Sequence, residues 1–193
     1  MSEIITINLP DAEVELHKDY FDKDRANFYF EYLSSDDNIH WKQETMNMYG
    51  RELKYARLMA WYGEEGKEYR FSGKTQKPNN WNSEPILKEM LDDIQGEKGE
   101  TFNSALLNHY RNGRDSISWH SDNEKELGEL PCIYSISLGQ ERVFRMRRFD
   151  RQSFVDPFSL EGSQLTLLDT LDSKPEMIKS VKIPLPHNSL LIM

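Results

Sequence analysis

The residues best suited to chemistry lie in NHYRNGRDSISWHSDNE, residues 108–124. His120 and Asp122 stand two apart there, in a chain with five histidines and a net charge of −9. On a β-strand, side chains i and i+2 share a face, so an imidazole and a carboxylate at this spacing can reach one ion together. Two histidines and one carboxylate on one side of Fe(II) leave positions open for oxygen chemistry, and H-x-D would supply two of those three ligands. The same spacing fits a strand that turns two polar residues to solvent. Spacing alone leaves both readings open.

Composition narrows the donor set. A single cysteine, Cys132, excludes an intramolecular disulfide and a cysteine-built metal site, so any metal falls to His, Asp and Glu. At 193 residues, 37% hydrophobic and 30% charged, the chain has the makings of one well-buried domain. The apolar runs are short, SLLIM at 189–193 among them, and none is long enough for a bilayer. The start, MSEIITINLPDAEVEL, lacks the basic and apolar regions of a secretory signal. An intracellular protein is expected, cytoplasmic or, in a eukaryote, nuclear, without a membrane partner and monomeric. The acidic balance disfavours nonspecific phosphate binding. Against it, RVFRMRRFDR at 142–151 holds five arginines in ten residues, enough for a local basic patch.

These residues need elements to position them. HKDYFDKDRANFYFEYL predicts a helix over about 19–33, with Asp19 as N-cap. NSEPILKEMLDDIQG predicts a second, capped by Ser83, with Pro85 in its first turn and Gly96 at its end. Ile86, Leu87, Met90, Leu91 and Ile94 form its apolar stripe. From Ala105 the texture changes to strands. CIYSISL alternates, Gly139-Gln140 turns the chain into RVFRMRRF, and QLTLLDT and VKIPLPHNSLLIM follow at sandwich-like intervals. Two helices ahead of a β-rich core make the fold α+β, with a jelly roll. His17 and His40 read as surface or helix-flanking residues, and His109 as facing away from Asn108 and Tyr110.

FNSALLNHYRNGRDSISWHSDNEKELGELPCIYSISLGQERVFRMR, residues 102–147, resembles the core of the AlkB family of Fe(II)/2-oxoglutarate dioxygenases. Upstream, ARLMAWYGEEGKEYRFSG resembles the nucleotide-recognition segment of its nucleic-acid-repair branch. The similarity runs over roughly 48–193, and its specificity lies in the order of N-x-Y, H-x-D, SLG and YGxxxxxYxFSG. It implies a double-stranded β-helix, or jelly roll, as one dioxygenase domain. In that domain 1–47 are an N-terminal extension and helix, 48–82 the nucleotide-recognition segment and 105–193 the core. His120 and Asp122 match two iron ligands, and Asn108 and Tyr110 match the pair that holds 2-oxoglutarate. Tyr69 and Phe71 match aromatics that stack a flipped, damaged base. Arg57, Ser72 and Glu124 match neighbouring pocket positions. Met48, Tyr49 and Gly50 sit where duplex-acting relatives carry a gap-filling loop. Asn123 departs from the family's second acidic residue, and as an amide that both donates and accepts it would shift base preference. Ser118 replaces a common glycine.

The resemblance further places the distal iron histidine and an arginine pair, the first of which clamps 2-oxoglutarate, ten to fifteen residues or more past IPLPHNSLLIM. On that register they lie beyond Met193, with the last jelly-roll strands, and His187 belongs to the segment before the ligand, a poor substitute for it. The implied activity is oxidative dealkylation of N-alkylated bases, of the 1-methyladenine and 3-methylcytosine type, in DNA or RNA. Fe(II) is the implied metal, 2-oxoglutarate and O₂ the co-substrates, and alkylated nucleic acid the partner. The competing expectation is a catalytically incomplete homologue that binds nucleic acid or regulates.

Overall fold

The computed structural model describes residues 3–9, 12–48, 50–66, 69–71, 74–98, 101–122, 127–128, 131–147 and 180–193. In chain order its strands are β1 Glu3–Leu9, β2 Ala12–Lys18, β3 Thr45–Met48, β4 Arg51–Lys54, β5 Leu58–Gly63, β6 Tyr69–Phe71, β7 Lys74–Gln76 and β8 Asn79–Asn80. They continue with β9 Ser104–His109, β10 Tyr134–Ser137, β11 Arg142–Met146, β12 Val181–Leu185 and β13 Ser189–Ile192. Helix α1, Lys23–Ser34, follows β2, and α2, Pro85–Lys98, precedes β9. Strands therefore come before and between the helices, which corrects the expected order of helices ahead of strands. QLTLLDT at 164–170 lies outside the described residues.

The chain forms two compact units, residues 1–26 with 132–193, and residues 27–131. In the first, the expected N-terminal extension is a hairpin. Its alternating Ile5, Ile7 and Leu9 on β1 face the partner positions Leu16, Val14 and Ala12 on β2. β2 then pairs with β13, and β13 with β10, in a four-stranded sheet of order β1-β2-β13-β10. β11 and β12 make a separate antiparallel ribbon. Period-2 alternation brings Val14 and Leu16, Ile183 and Leu185, and Leu191 into one buried cluster, with Phe144 and Met146 against it. Each fully buried aliphatic side chain contributes about 1.5–3 kcal/mol of transfer free energy. β13 is paired on both edges, and its Ser189, Leu190 and Leu191 are all buried.

The turn that feeds β13 is held by one side chain. Asn188 is buried and takes a left-handed backbone, φ 62°. Its Oδ1 accepts from the Phe21 amide at 2.9 Å, and its Nδ2 donates to the Phe21 carbonyl at 2.7 Å. Asparagine tolerates this conformation better than most side chains, and its amide can serve both backbone groups at once. Asp19 is also left-handed, φ 51°, and so does not cap α1. The cap is Asp22, whose Oδ1 accepts from the Arg25 amide at 3.0 Å.

In the second unit β5 lies between β9, antiparallel, and β8, parallel. β3 with β4 and β6 with β7 form two further ribbons. Tyr29 of α1 is fully buried and donates to Glu89 Oε1 of α2 at 2.9 Å. α2 buries Leu87, Met90 and Ile94 as its stripe predicts. Its ends differ from expectation. Ser83 belongs to a 3₁₀ turn, Trp81–Ser83, leaving Glu84 at the cap position, and Gly96 lies inside the helix.

Asn188→Ala removes two buried hydrogen bonds and leaves a disfavoured backbone, so it should destabilise the fold by about 2–4 kcal/mol. Urea unfolding of the two proteins measures this. A change within error would show that the turn does not depend on the clamp.

Candidate metal and cosubstrate site

Pairing of β5 with β9 sets Met59 opposite Asn108 and Leu58 opposite His109. Arg57 immediately precedes β5, and its Nε donates to Asn108 Oδ1 at 2.6 Å. The arginine is only 3% exposed, and its guanidinium carbon stands 5.0 Å from the Tyr55 ring centroid. Burial lowers its pKa, while Tyr110 and Tyr55 act the other way. It stays charged, because arginine starts so far above neutrality. Burial leaves Arg57 little exposed surface of its own. A guanidinium only donates, so the Asn108 oxygen must face it and the amide NH₂ is turned elsewhere. Tyr110, two residues on, is half-buried.

His109 packs edge-on against Trp41, ring centroids 5.2 Å apart, and Trp41 Nε1 donates to the Leu33 carbonyl at 3.1 Å. His40 is exposed. His17 is not a surface residue: it is buried on β2, with Nε2 3.1 Å from Glu15 Oε2. The alternation of Val14 and Leu16 around it was the available signal for that strand.

His120 and Asp122 do come together, but not on a strand. The chain from Tyr110 to Asp122 is irregular. Side chains take the hydrogen bonds that a strand ladder would otherwise satisfy. Asp115, 5% exposed, accepts from the Arg111 amide at 3.0 Å and from the Arg111 guanidinium at 2.7 and 3.1 Å. This pairing raises the Arg111 pKa. Asn112 Oδ1 accepts from the Arg114 amide at 2.9 Å, and the Ser116 amide donates to the Ala56 carbonyl at 2.9 Å. The loop is thereby moored beside Arg57. At its far end His120 Nδ1 lies 2.8 Å from the Ser118 carbonyl, and Nε2 lies 3.5 Å from Asp122 Oδ1. Both side chains are a little under half exposed, so the pair is not inside the β core.

A carbonyl only accepts, so Nδ1 carries a hydrogen, and Nε2 is the ring nitrogen that faces the carboxylate. With Nε2 deprotonated, nitrogen and carboxylate offer two lone-pair ligands to a cation between them. A ring nitrogen ligating while the other donates to a carbonyl is also how metal-binding histidines are oriented. The donor set therefore fits Fe(II) as two ligands. Among the described residues no group of three or more His, Cys, Asp or Glu gathers to hold a metal. His187 sits in the β12–β13 turn, where its Nδ1 accepts from the Gly139 amide at 2.8 Å. That bond occupies the Nδ1 lone pair.

The remaining expected positions divide. Tyr69 and Phe71 open and close β6, opposite Gln76 and Lys74. Met48 ends β3, and Gly50, with φ 73°, lies in the turn to the exposed β4. Tyr49, Ser72, Asn123 and Glu124 lie outside the described residues. Sequence reasoning missed Asp115. Its signal was an arginine four residues before an aspartate across an Asn-Gly turn.

Asp115→Asn removes the charge that holds the Arg111 fork. Amide hydrogen exchange at Arg111 and Ser116 should speed up markedly while β5 and β9 stay protected. Unchanged exchange at both amides would show that the loop is held otherwise.

With this geometry in view, comparison with known proteins is specific. The family model of the 2OG-Fe(II) oxygenase superfamily matches residues 13–193. The human protein named alpha-ketoglutarate-dependent dioxygenase alkB homolog 3 is 37% identical over 183 residues, 94% of this chain and 56% of its own. The human DNA oxidative demethylase ALKBH2 is 33% identical over 148 residues, 77% of this chain and 49% of its own. That of Arabidopsis thaliana is 33% identical over 172 residues, covering 86% and 52%. The chain thus spans about half the length of the curated relatives it matches. No helix among the described residues is long and apolar enough to cross a membrane. The chain belongs to the 2OG-Fe(II) oxygenase superfamily, as an AlkB-like member, and the metal and co-substrate of that family are Fe(II) and 2-oxoglutarate.

Proposed function

We propose that this chain carries the metal and cosubstrate site of an oxidative dealkylase acting on N-alkylated bases in nucleic acid. The observation that carries the reading is the His120–Asp122 pair, with its 3.5 Å separation and its Nδ1 anchored on Ser118. The names of the relatives, a dioxygenase dependent on alpha-ketoglutarate and a DNA oxidative demethylase, support the reaction class. A jelly roll is consistent with β10 and β13 lying in one sheet while β11 and β12 form another.

In this reading His120 Nε2 and Asp122 hold the metal. The Asn108 amide NH₂ and the Tyr110 hydroxyl donate to the carboxylates of 2-oxoglutarate. Fe(II) and 2-oxoglutarate supply, with O₂, the oxidising power that releases an N-methyl group as formaldehyde. Tyr69 and Phe71 receive the flipped base, since an aromatic face stacks on any base and the alkylated, weakly paired base costs least to extrude. The contribution of the chain is positioning, which alone is worth several kcal/mol of barrier when reacting groups are held in line.

His120→Ala and Asp122→Ala should each abolish Mn(II) or Fe(II) binding, read by calorimetry. Unchanged affinity in both would remove the metal reading. Phe71→Ala should weaken binding of an oligonucleotide containing 1-methyladenine by about 1–3 kcal/mol, the usual loss per stacked base. Equal binding would place the base elsewhere. Oligonucleotide binding without formaldehyde release, in DNA and RNA alike, would favour a binding module over an enzyme.

A further inference from the structure

Arg57 is the feature that the expected pocket roles do not explain. It is a cation taken almost wholly out of water, at 3% exposure. Among the described residues, its side chain meets the Asn108 amide and the Tyr55 ring. Its hydrogen-bond partner is the neutral amide of Asn108, at 2.6 Å. A guanidinium taken out of water is costly unless its donors are satisfied, so the Asn108 oxygen is held firmly against it.

We infer that Arg57 is a positioning residue for the 2-oxoglutarate carboxylate, acting through the Asn108 amide that it locks and polarises; this rests on the proposed cosubstrate role of Asn108. The chemistry follows from the inventory of donors. An amide side chain can present either its oxygen or its NH₂ to a ligand, and the wrong face would repel a carboxylate. A guanidinium on Oδ1 fixes the choice, because that oxygen can only accept. It also withdraws electron density across the amide and makes the NH₂ a stronger donor, as linked hydrogen bonds do in a low-dielectric site. Arg57 Cζ lies over the Tyr55 ring, a cation–π contact that leaves Nε directed at Asn108. The backbone reinforces the link, since Ala56 accepts from Ser116 in the loop that carries His120. Arg57 thus joins the cosubstrate residue to the segment holding the metal pair.

A double-mutant cycle separates this role from a general structural one. The quantity read is 2-oxoglutarate affinity of the Mn(II)-loaded protein, by quenching of tryptophan fluorescence, with Mn(II) affinity as the control. Arg57→Ala should weaken 2-oxoglutarate binding roughly tenfold or more, the loss expected for a charge-assisted hydrogen bond. Mn(II) affinity should not move. In the Asn108→Ala background the same substitution should cost nothing further, because the relay is already gone. An equal loss in both backgrounds, or no loss in either, would overturn the inference while leaving the cosubstrate site intact. No 2-oxoglutarate binding by the parent protein would instead overturn the proposed function, and this inference with it. If Arg57→Ala does not fold, Arg57→Lys, which keeps the charge but not the fork, replaces it. A smaller loss that again vanishes with Asn108→Ala is then expected, and an additive loss contradicts the role.

Discussion

The antiparallel pairing of β5 with β9 is the constraint on which the site depends. It fixes Asn108 opposite Met59, and so places the Asn108 amide within reach of the arginine that precedes β5. Alternation along β9 then separates the two faces, with Asn108 bonded to Arg57 and His109 packed on Trp41. A slip of one residue would exchange those faces and leave a buried guanidinium without its acceptor. The same pairing orients the loop that follows, because the Ala56 carbonyl beside β5 receives the Ser116 amide. Register in one strand pair therefore sets Asn108 and the path toward the His120–Asp122 pair together.

Electrostatics divides the site between held and available charge. Asp115 is buried and its oxygens are taken by Arg111, so it stiffens the loop and offers nothing to a ligand. His120 and Asp122, a few residues on, are exposed enough for an incoming ion. One Nδ1 bond to a backbone carbonyl decides which imidazole nitrogen faces the carboxylate. His187 shows the opposite use of the same side chain, with its Nδ1 engaged by the Gly139 amide in a turn.

Local spacing was legible in the sequence, and partnership was not. H-x-D is a short-range pattern, and His120 and Asp122 still come together when their segment turns out to be a loop, because i and i+2 also share a side in an extended chain without a ladder. The stripe of α2 was equally plain, since Leu87, Met90 and Ile94 repeat at helical period. The start of α1 was not, as Asp19 and Asp22 are both plausible caps and only the reach to Arg25 separates them. The N-terminal hairpin was overlooked despite the alternation of Ile5, Ile7 and Leu9, because its strand identity is settled by β13 at the other end of the chain. The burial of Arg57 has no signature in composition at all. An arginine beside a strand reads as solvated until its neighbours across the sheet are known.

The central claim, that His120 and Asp122 hold a metal ion, is tested most directly by paramagnetic broadening. Mn(II) titrated into nitrogen-15-labelled protein relaxes amides near the ion long before others. The first signals lost should be those flanking His120 and Asp122, and His120→Ala should abolish the selective loss. Broadening that begins instead at an acidic surface such as Asp36–Asp37, and persists in His120→Ala, would contradict it.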